Sequence, residues 1–214
     1  SDIQIRTFIK IIFISIILLS IYLLIDDSTQ LSLRSIFFNV ISILTGTGYV
    51  NAQFDKWGEF PLILFLVLMF IGGCAGSTTC GIRMFRLQVL ASSANAQLIR
   101  LLRPHSIVLP HYNEKPVPDN VTNSVMGFFF IYILAFAVTA SALSILGLDF
   151  ETSISGAATA ISNVGPGLGE QIGPSGNFST LTFLAKWVLC AAMILGRLEL
   201  YTILILFTPN FWKY

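Results

Sequence analysis

Leu44-Thr45-Gly46-Thr47-Gly48-Tyr49 and Ser162-Asn163-Val164-Gly165-Pro166-Gly167 are the two stretches that decide the fold. Each follows a segment too short to cross a bilayer, Gln30 to Leu44 and Glu151 to Ile161. Each then returns through a polar, Gly- or Pro-rich loop to a long apolar run. Aligning Gly48 with Gly165 gives an offset of 117 residues and pairs Thr45 with Ser162, Gly46 with Asn163, Thr47 with Val164 and Tyr49 with Pro166. One such loop is compatible with an ordinary turn after a surface helix. Two in the same order are an internal repeat of span, short helix, glycine loop and span.

The rest of the chain supports a membrane setting. Of 214 residues, 55% are hydrophobic and 11% charged, with mean hydropathy +0.80. A soluble domain carries about 25% charged residues. A helix needs about 20 apolar residues to cross the hydrocarbon core. Thr7 to Ile25, Phe60 to Gly81, Val121 to Leu148 and Thr180 to Pro209 meet that length. The chain starts at Ser1 without a cleavage-site pattern, so the first run is expected to be a span rather than a signal peptide. Cys74, Cys80 and Cys190 have no zinc-site spacing and form no evident disulfide framework.

Charge sets the orientation. The loops Asp26 to Glu59 and Asp149 to Lys186 hold three basic residues and seven acidic ones. Arg6, Lys10, Arg83, Arg86, Arg100, Arg103, Lys115 and Lys213 lie on the other side. The positive-inside rule makes that second side cytoplasmic, so both short-helix loops open outward. The acidic excess there attracts cations. The net charge of +1 points to no nucleic-acid partner. Arg83 to Leu102 is basic and amphipathic and is expected as a cytoplasmic helix, at the membrane surface or against a partner. Pro104, Pro110, Pro116 and Pro118 mark an irregular connector after it.

Non-helical backbone at membrane depth is tolerated where protein buries it or where it lines a watery cavity. Thr45, Gly46, Thr47, Gly48 and Tyr49, with Ser162, Asn163, Val164, Gly165 and Pro166, are the candidate ion-binding residues. Such a strand turns carbonyl oxygens inward to replace a cation's hydration shell. A second break, Gly72-Gly73-Cys74-Ala75-Gly76-Ser77-Thr78-Thr79-Cys80-Gly81, interrupts the second run. Gly76 and Gly81 have P-loop spacing, but Ile82-Arg83 follows instead of Lys and Ser/Thr. Composition leaves two readings open here: a flexible constriction below the filter, or close helix packing through small residues. Arg197 lies within the last apolar run, where a charge faces a cavity or a partner or snorkels to the interface. Glu199, two residues on, lies on another helix face. His105 and His111 lack companions for a metal site. No Ser-His-Asp, paired-carboxylate or Cys-His arrangement stands out, so no enzyme is indicated. A secondary transporter with re-entrant hairpins is the competing class, but its repeats are usually inverted, whereas both loops here lie on one side.

These stretches, together with Ile71 to Arg83 and Gly196-Arg197-Leu198-Glu199-Leu200-Tyr201, resemble the Trk/Ktr/HKT superfamily, in particular the bacterial TrkH/TrkG potassium-uptake membrane subunits. The resemblance runs over nearly the whole chain in family order. It implies an all-α, potassium-channel-like fold of membrane–pore-loop–membrane repeats, four per subunit around one filter. This chain would be the C-terminal half, with residues 1–103 as the third repeat and a cytoplasmic helical extension, 104–120 as a connector and 121–214 as the fourth repeat. The resemblance further implies potassium as substrate with no cofactor, and a multi-pass location in the bacterial inner membrane. It implies a homodimer and cytosolic TrkA-type RCK nucleotide-binding regulatory subunits as partners. It makes Gly72, Gly73, Gly76, Ser77, Thr78, Thr79 and Gly81 an intramembrane gating loop that Arg197 helps hold shut. Cys80 stands where the family more often has glycine.

Overall fold

In the computed structural model, residues 3–25, 32–103, 108–113 and 115–198 are described. Asp26, Asp27, Gln30, His105 and the end of the fourth apolar run, including Glu199, Leu200, Tyr201 and Pro209, lie outside them. The first apolar run forms α1 (Ile3–Ile25) and the third forms α5 (Asp119–Ile145), both long and apolar enough to cross a bilayer. On α1, Leu19 and Leu23 are buried, while Phe13, Ile17, Ile21 and Leu24 stay exposed. A helix apolar on all sides is suited to lipid or to a further protein layer, not to water.

The two short segments form α2 (Leu33–Leu44) and α6 (Phe150–Ser162), one after each long span. Asp149 caps α6, its carboxylate accepting from the Thr152 N–H at 3.1 Å. The Ser32 side chain makes no such capping bond at the start of α2. The second apolar run begins as α3 (Glu59–Phe70) and stops there, because Gly72 and Gly73 carry neither helix propensity nor a side chain to pack. The chain resumes as α4 (Met84–Leu102). Ile71 and Ile82 are bridged in parallel: Ile82 N–H donates to Phe70 O and Gly72 N–H to Ile82 O, both at 2.9 Å. The break is therefore a closed loop inserted between two helices.

The basic amphipathic stretch expected as a cytoplasmic helix is α4. It packs along α1 and α5 and buries Met84, Val89, Ser93 and Ala96. Gln88 ties it to α1 through Nε2 donating to Thr7 Oγ1 at 2.8 Å. The proline-rich connector contains a small antiparallel hairpin that periodicity did not signal, β1 (His111–Tyr112) with β2 (Lys115–Pro116). After α6 come a single turn, α7 (Gly169–Ile172), and the returning helix α8 (Phe183–Arg197). Two apolar cores result. One joins α1, α2 and α3 around Leu19, Val40, Ile43 and Phe65, and the other joins α5, α6 and α8 around Leu143, Ala157, Ile161 and Leu189. Burying a large aliphatic side chain contributes about 1.5–3 kcal/mol, so these cores fix where each short helix ends.

Candidate functional site: two loops, a plug and an arginine

The ends of α2 and α6 lead into the two glycine loops, and the loops share one hydrogen-bond pattern at the offset read from the sequence. Thr47 N–H donates to Ser42 O at 3.0 Å and Gly48 N–H to the same oxygen at 3.3 Å. At the matching positions Val164 N–H donates to Thr159 O at 3.1 Å and Gly165 N–H to Thr159 Oγ1 at 2.9 Å. The left-handed positions match as well: Gly46 (φ 67°) with Asn163 (φ 52°), and Gly48 (φ 72°) with Gly165 (φ 120°). An alternation of left-handed and ordinary residues turns N–H groups one way and carbonyls the other.

The loops face each other. A Cβ built on Gly48 would collide with the Val164 carbonyl oxygen and reach Pro166 Cδ at 3.2 Å. Only glycine permits that approach. Ser162 and Val164 are buried, whereas Thr47 and Tyr49 are exposed. The first loop is held by its own hydroxyls: Ser42 Oγ donates to Tyr49 O at 2.6 Å and Thr47 Oγ1 donates to Ser42 O at 3.1 Å. The second is held by its neighbours. Ser162 Oγ pairs with the Tyr132 hydroxyl at 2.8 Å, and Asn163 Nδ2 donates to Met193 O at 3.0 Å. Ser42, Thr159 and Tyr132 are site residues that the sequence reading missed.

Below the loops lies the 72–81 insertion. Thr79 Cγ2 comes within 3.8 Å of a Cβ built on Gly46, which places the insertion against the inner end of the first loop. Internally, Gly73 N–H donates to Thr79 Oγ1 at 2.8 Å, and the Ser77 and Thr79 hydroxyls pair at 2.6 Å. Arg197 reaches across from α8: Nη1 donates to Thr78 O at 3.0 Å and to Cys80 Sγ at 3.3 Å. A cavity of about 230 Å³ opens here, lined by residues 77–81, Arg83, Arg86, Tyr132 and Arg197. Arg86 stacks on Phe128 at 3.8 Å from the ring centre. The candidate gating residues are thus one assembly, and Arg197 touches it directly. Tyr49, at the end of the first loop, is 74% exposed.

At the outer end, burial raises the Glu151 carboxyl, helped by Asp149, Asp55 and Glu170 nearby. Burial acts upward on Asp149 too, but its hydrogen bonds from Thr152 outweigh that and hold it below the usual range. Four acidic side chains, Asp55, Asp149, Glu151 and Glu170, therefore gather at this end.

Known proteins bear on this arrangement. The family described as "TrkH: Cation transport protein" matches residues 2–214. The chain is similar to the Trk system potassium uptake protein TrkI of Halomonas elongata, 47% identical over 85% of this chain and 37% of that protein. It is 34% identical to the Trk system potassium uptake protein TrkH of Escherichia coli K12 over 99% of this chain and 44% of that protein. The crystal structure of the potassium transporter TrkH from Vibrio parahaemolyticus superposes with TM-score 0.89 at 36% identity, covering 99% of this chain and 45% of that one. The chain spans less than half the length of these relatives. A channel-like membrane fold, multi-pass in the bacterial inner membrane, is what the match and the two apolar spans support, and the chain belongs to the TrkH cation transport protein family.

Proposed function

We propose that the chain supplies two of the four filter segments of a potassium-uptake pore, through Thr45 to Tyr49 and Ser162 to Pro166. The observation that carries this is the shared hydrogen-bond pattern of the two loops at a constant offset, with the loops meeting at Gly48 and Val164. N–H groups drawn back to Ser42 and Thr159 leave carbonyl oxygens on the opposite side for a dehydrated monovalent cation. The carboxyl-terminal ends of α2 and α6, with their partial negative charge, add to the attraction. The matched relatives are named as potassium uptake proteins, which supports potassium as the cargo.

Residues 1–103 and 121–214 are then the third and fourth repeats, with 104–120 between them. Gly72, Gly73, Gly76, Ser77, Thr78, Thr79 and Gly81 form the gate, and the Arg197 contacts with Thr78 and Cys80 hold it under the filter. The complete subunit works as a homodimer with TrkA-type regulatory subunits on the cytoplasmic side.

The test is rubidium flux through the full-length subunit in liposomes with Gly48→Ser. Flux is expected to fall and the preference for potassium over sodium to shrink. An unchanged preference rules out a filter role for Gly48.

A further inference from the structure

Gln4 lies in the first turn of α1, before the apolar run, yet it is only 6% exposed. Both ends of its amide are engaged. Oε1 accepts from the Ala75 N–H at 2.8 Å, and Nε2 donates to the Tyr112 hydroxyl at 2.6 Å. The orientation of the amide follows from chemistry: a backbone N–H only donates, so the oxygen must face Ala75.

Ala75 is the second residue of the turn Cys74–Ser77, closed by Ser77 N–H donating to Cys74 O at 3.1 Å, with Gly76 third at φ 90°. This is the arrangement of a type II turn, which needs a left-handed third residue. The N–H of the second residue finds no partner inside such a turn, so it needs an acceptor from elsewhere. Gln4 supplies it.

Tyr112 belongs to the hairpin on the basic, cytoplasmic side. Its ring stands edge-on to Phe85 at 4.9 Å, beside the start of α4. The preceding residue of the hairpin, His111, donates its N–H to Ser92 Oγ at 2.9 Å. One buried amide therefore joins the hairpin, the first turn of α1 and the tip of the pore insertion.

We propose that Gln4 is a positioning residue that transmits displacement of the cytoplasmic hairpin, through Tyr112, to the insertion tip at Ala75. This rests on the insertion acting as the gate. Arg197 grips the other limb of the insertion at Thr78 and has no such tie to the hairpin among the described contacts. A partner pushing on β1 and β2 thus acts on one of the two grips.

The experiment uses the full-length subunit in liposomes, with hydrogen–deuterium exchange at Ala75 and rubidium flux as readouts. Gln4→Leu is expected to speed exchange roughly tenfold, the scale of one lost hydrogen bond. Tyr112→Phe, which keeps the ring and removes only the hydroxyl, is expected to speed it severalfold although it does not touch the insertion. Both should raise basal flux. Gln4→Glu, whose carboxylate accepts from both Ala75 and Tyr112, should restore slow exchange. Unchanged exchange and flux in Tyr112→Phe overturn the proposal, even if Gln4→Leu acts. Removal of Gly76 to Thr79 and Arg197→Ala serve as the separate control: if both leave flux unaltered, the gate reading fails while the exchange data still decide the link.

Discussion

The two glycine loops share a backbone and differ in what supports it. The second lies at the centre of the described fold, with α6 enclosed by α3, α5, α7 and α8. The first lies at an edge: α2 meets α1 and α3 but leaves Leu33, Phe37, Phe38 and Ile41 exposed. Exposed large apolar residues on a pore helix call for a covering layer from outside the described residues. The lesson is that the turn itself is local: in both loops the N–H groups bond back to the residue six before the second left-handed position, Ser42 or Thr159, while the packing around them differs.

The largest effect is expected from a methyl group at the meeting point. Gly48→Ala drives a Cβ into the Val164 carbonyl, which is backbone and cannot rotate away. Gly165→Ala meets nothing nearer than Gly48 Cα at 3.8 Å and carries only its own backbone strain. Strain of that kind costs on the order of 1–3 kcal/mol. Rubidium flux should fall more in Gly48→Ala than in Gly165→Ala. Equal or reversed losses would break the picture of two loops in contact.

A smaller effect separates the two anchors. Thr159→Ala leaves the Gly165 N–H without its acceptor in a site where Thr159 is 1% exposed. Gly165 itself is exposed, so water can partly replace the lost acceptor and the cost falls at or below about 1 kcal/mol, the low end for an unsatisfied donor. Ser42→Ala removes hydroxyl contacts but keeps Ser42 O, which accepts from both Thr47 and Gly48. Thermal unfolding of the full-length subunit should show Thr159→Ala as the more destabilised, with Thr159→Ser restoring most of the loss.

The smallest effect is a matter of pH and belongs to the second loop alone. The first turn of α6 has an acid, Glu151, and the first turn of α2 has none. Glu151 has its carboxyl raised above the ordinary value of 4.5, so the folded protein penalises its ionised form. That penalty is present above the raised value and is relieved as pH falls through it. Asp149 is lowered from 3.8, so its contribution has the opposite sign and is lost only at more acid pH. Lowering the pH from neutral toward 4.5 should therefore stabilise the wild type slightly relative to Glu151→Gln, by melting temperature. Identical pH profiles would show that the acidic mouth is screened.

The repeat was legible because its code is local. Two left-handed positions and a hydroxyl partner sit within seven residues, so Gly46, Gly48 and Gly165 announce themselves along the chain. The helix break was legible for the same reason, since Gly72 and Gly73 stop α3 wherever it packs. Long-range partners were not. Nothing along the chain marks Gln4, because its partners lie 71 and 108 residues away. Tyr132 is one aromatic among many in an apolar helix, and its link to Ser162 arises only when α5 packs on α6. The sequence of α4 read as a basic, amphipathic cytoplasmic helix at the membrane surface or against a partner, without saying which elements it would meet. The structure shows it packed on α1 and α5, with Ser93 and Ala96 among its buried residues. The resemblance to a known family named Arg197 and the insertion as a pair, but the atoms they share, Thr78 O and Cys80 Sγ, came from the three-dimensional arrangement.

The bridge between Ile71 and Ile82 has a consequence for how this protein can vary. It pins the two helix ends together, so the insertion is a module with fixed terminals. Changes inside it reach the rest of the bundle through its side-chain grips, Gln4 at Ala75 and Arg197 at Thr78, rather than through the helix ends. A few codons can then alter the insertion while α3 and α4 keep their relation to each other.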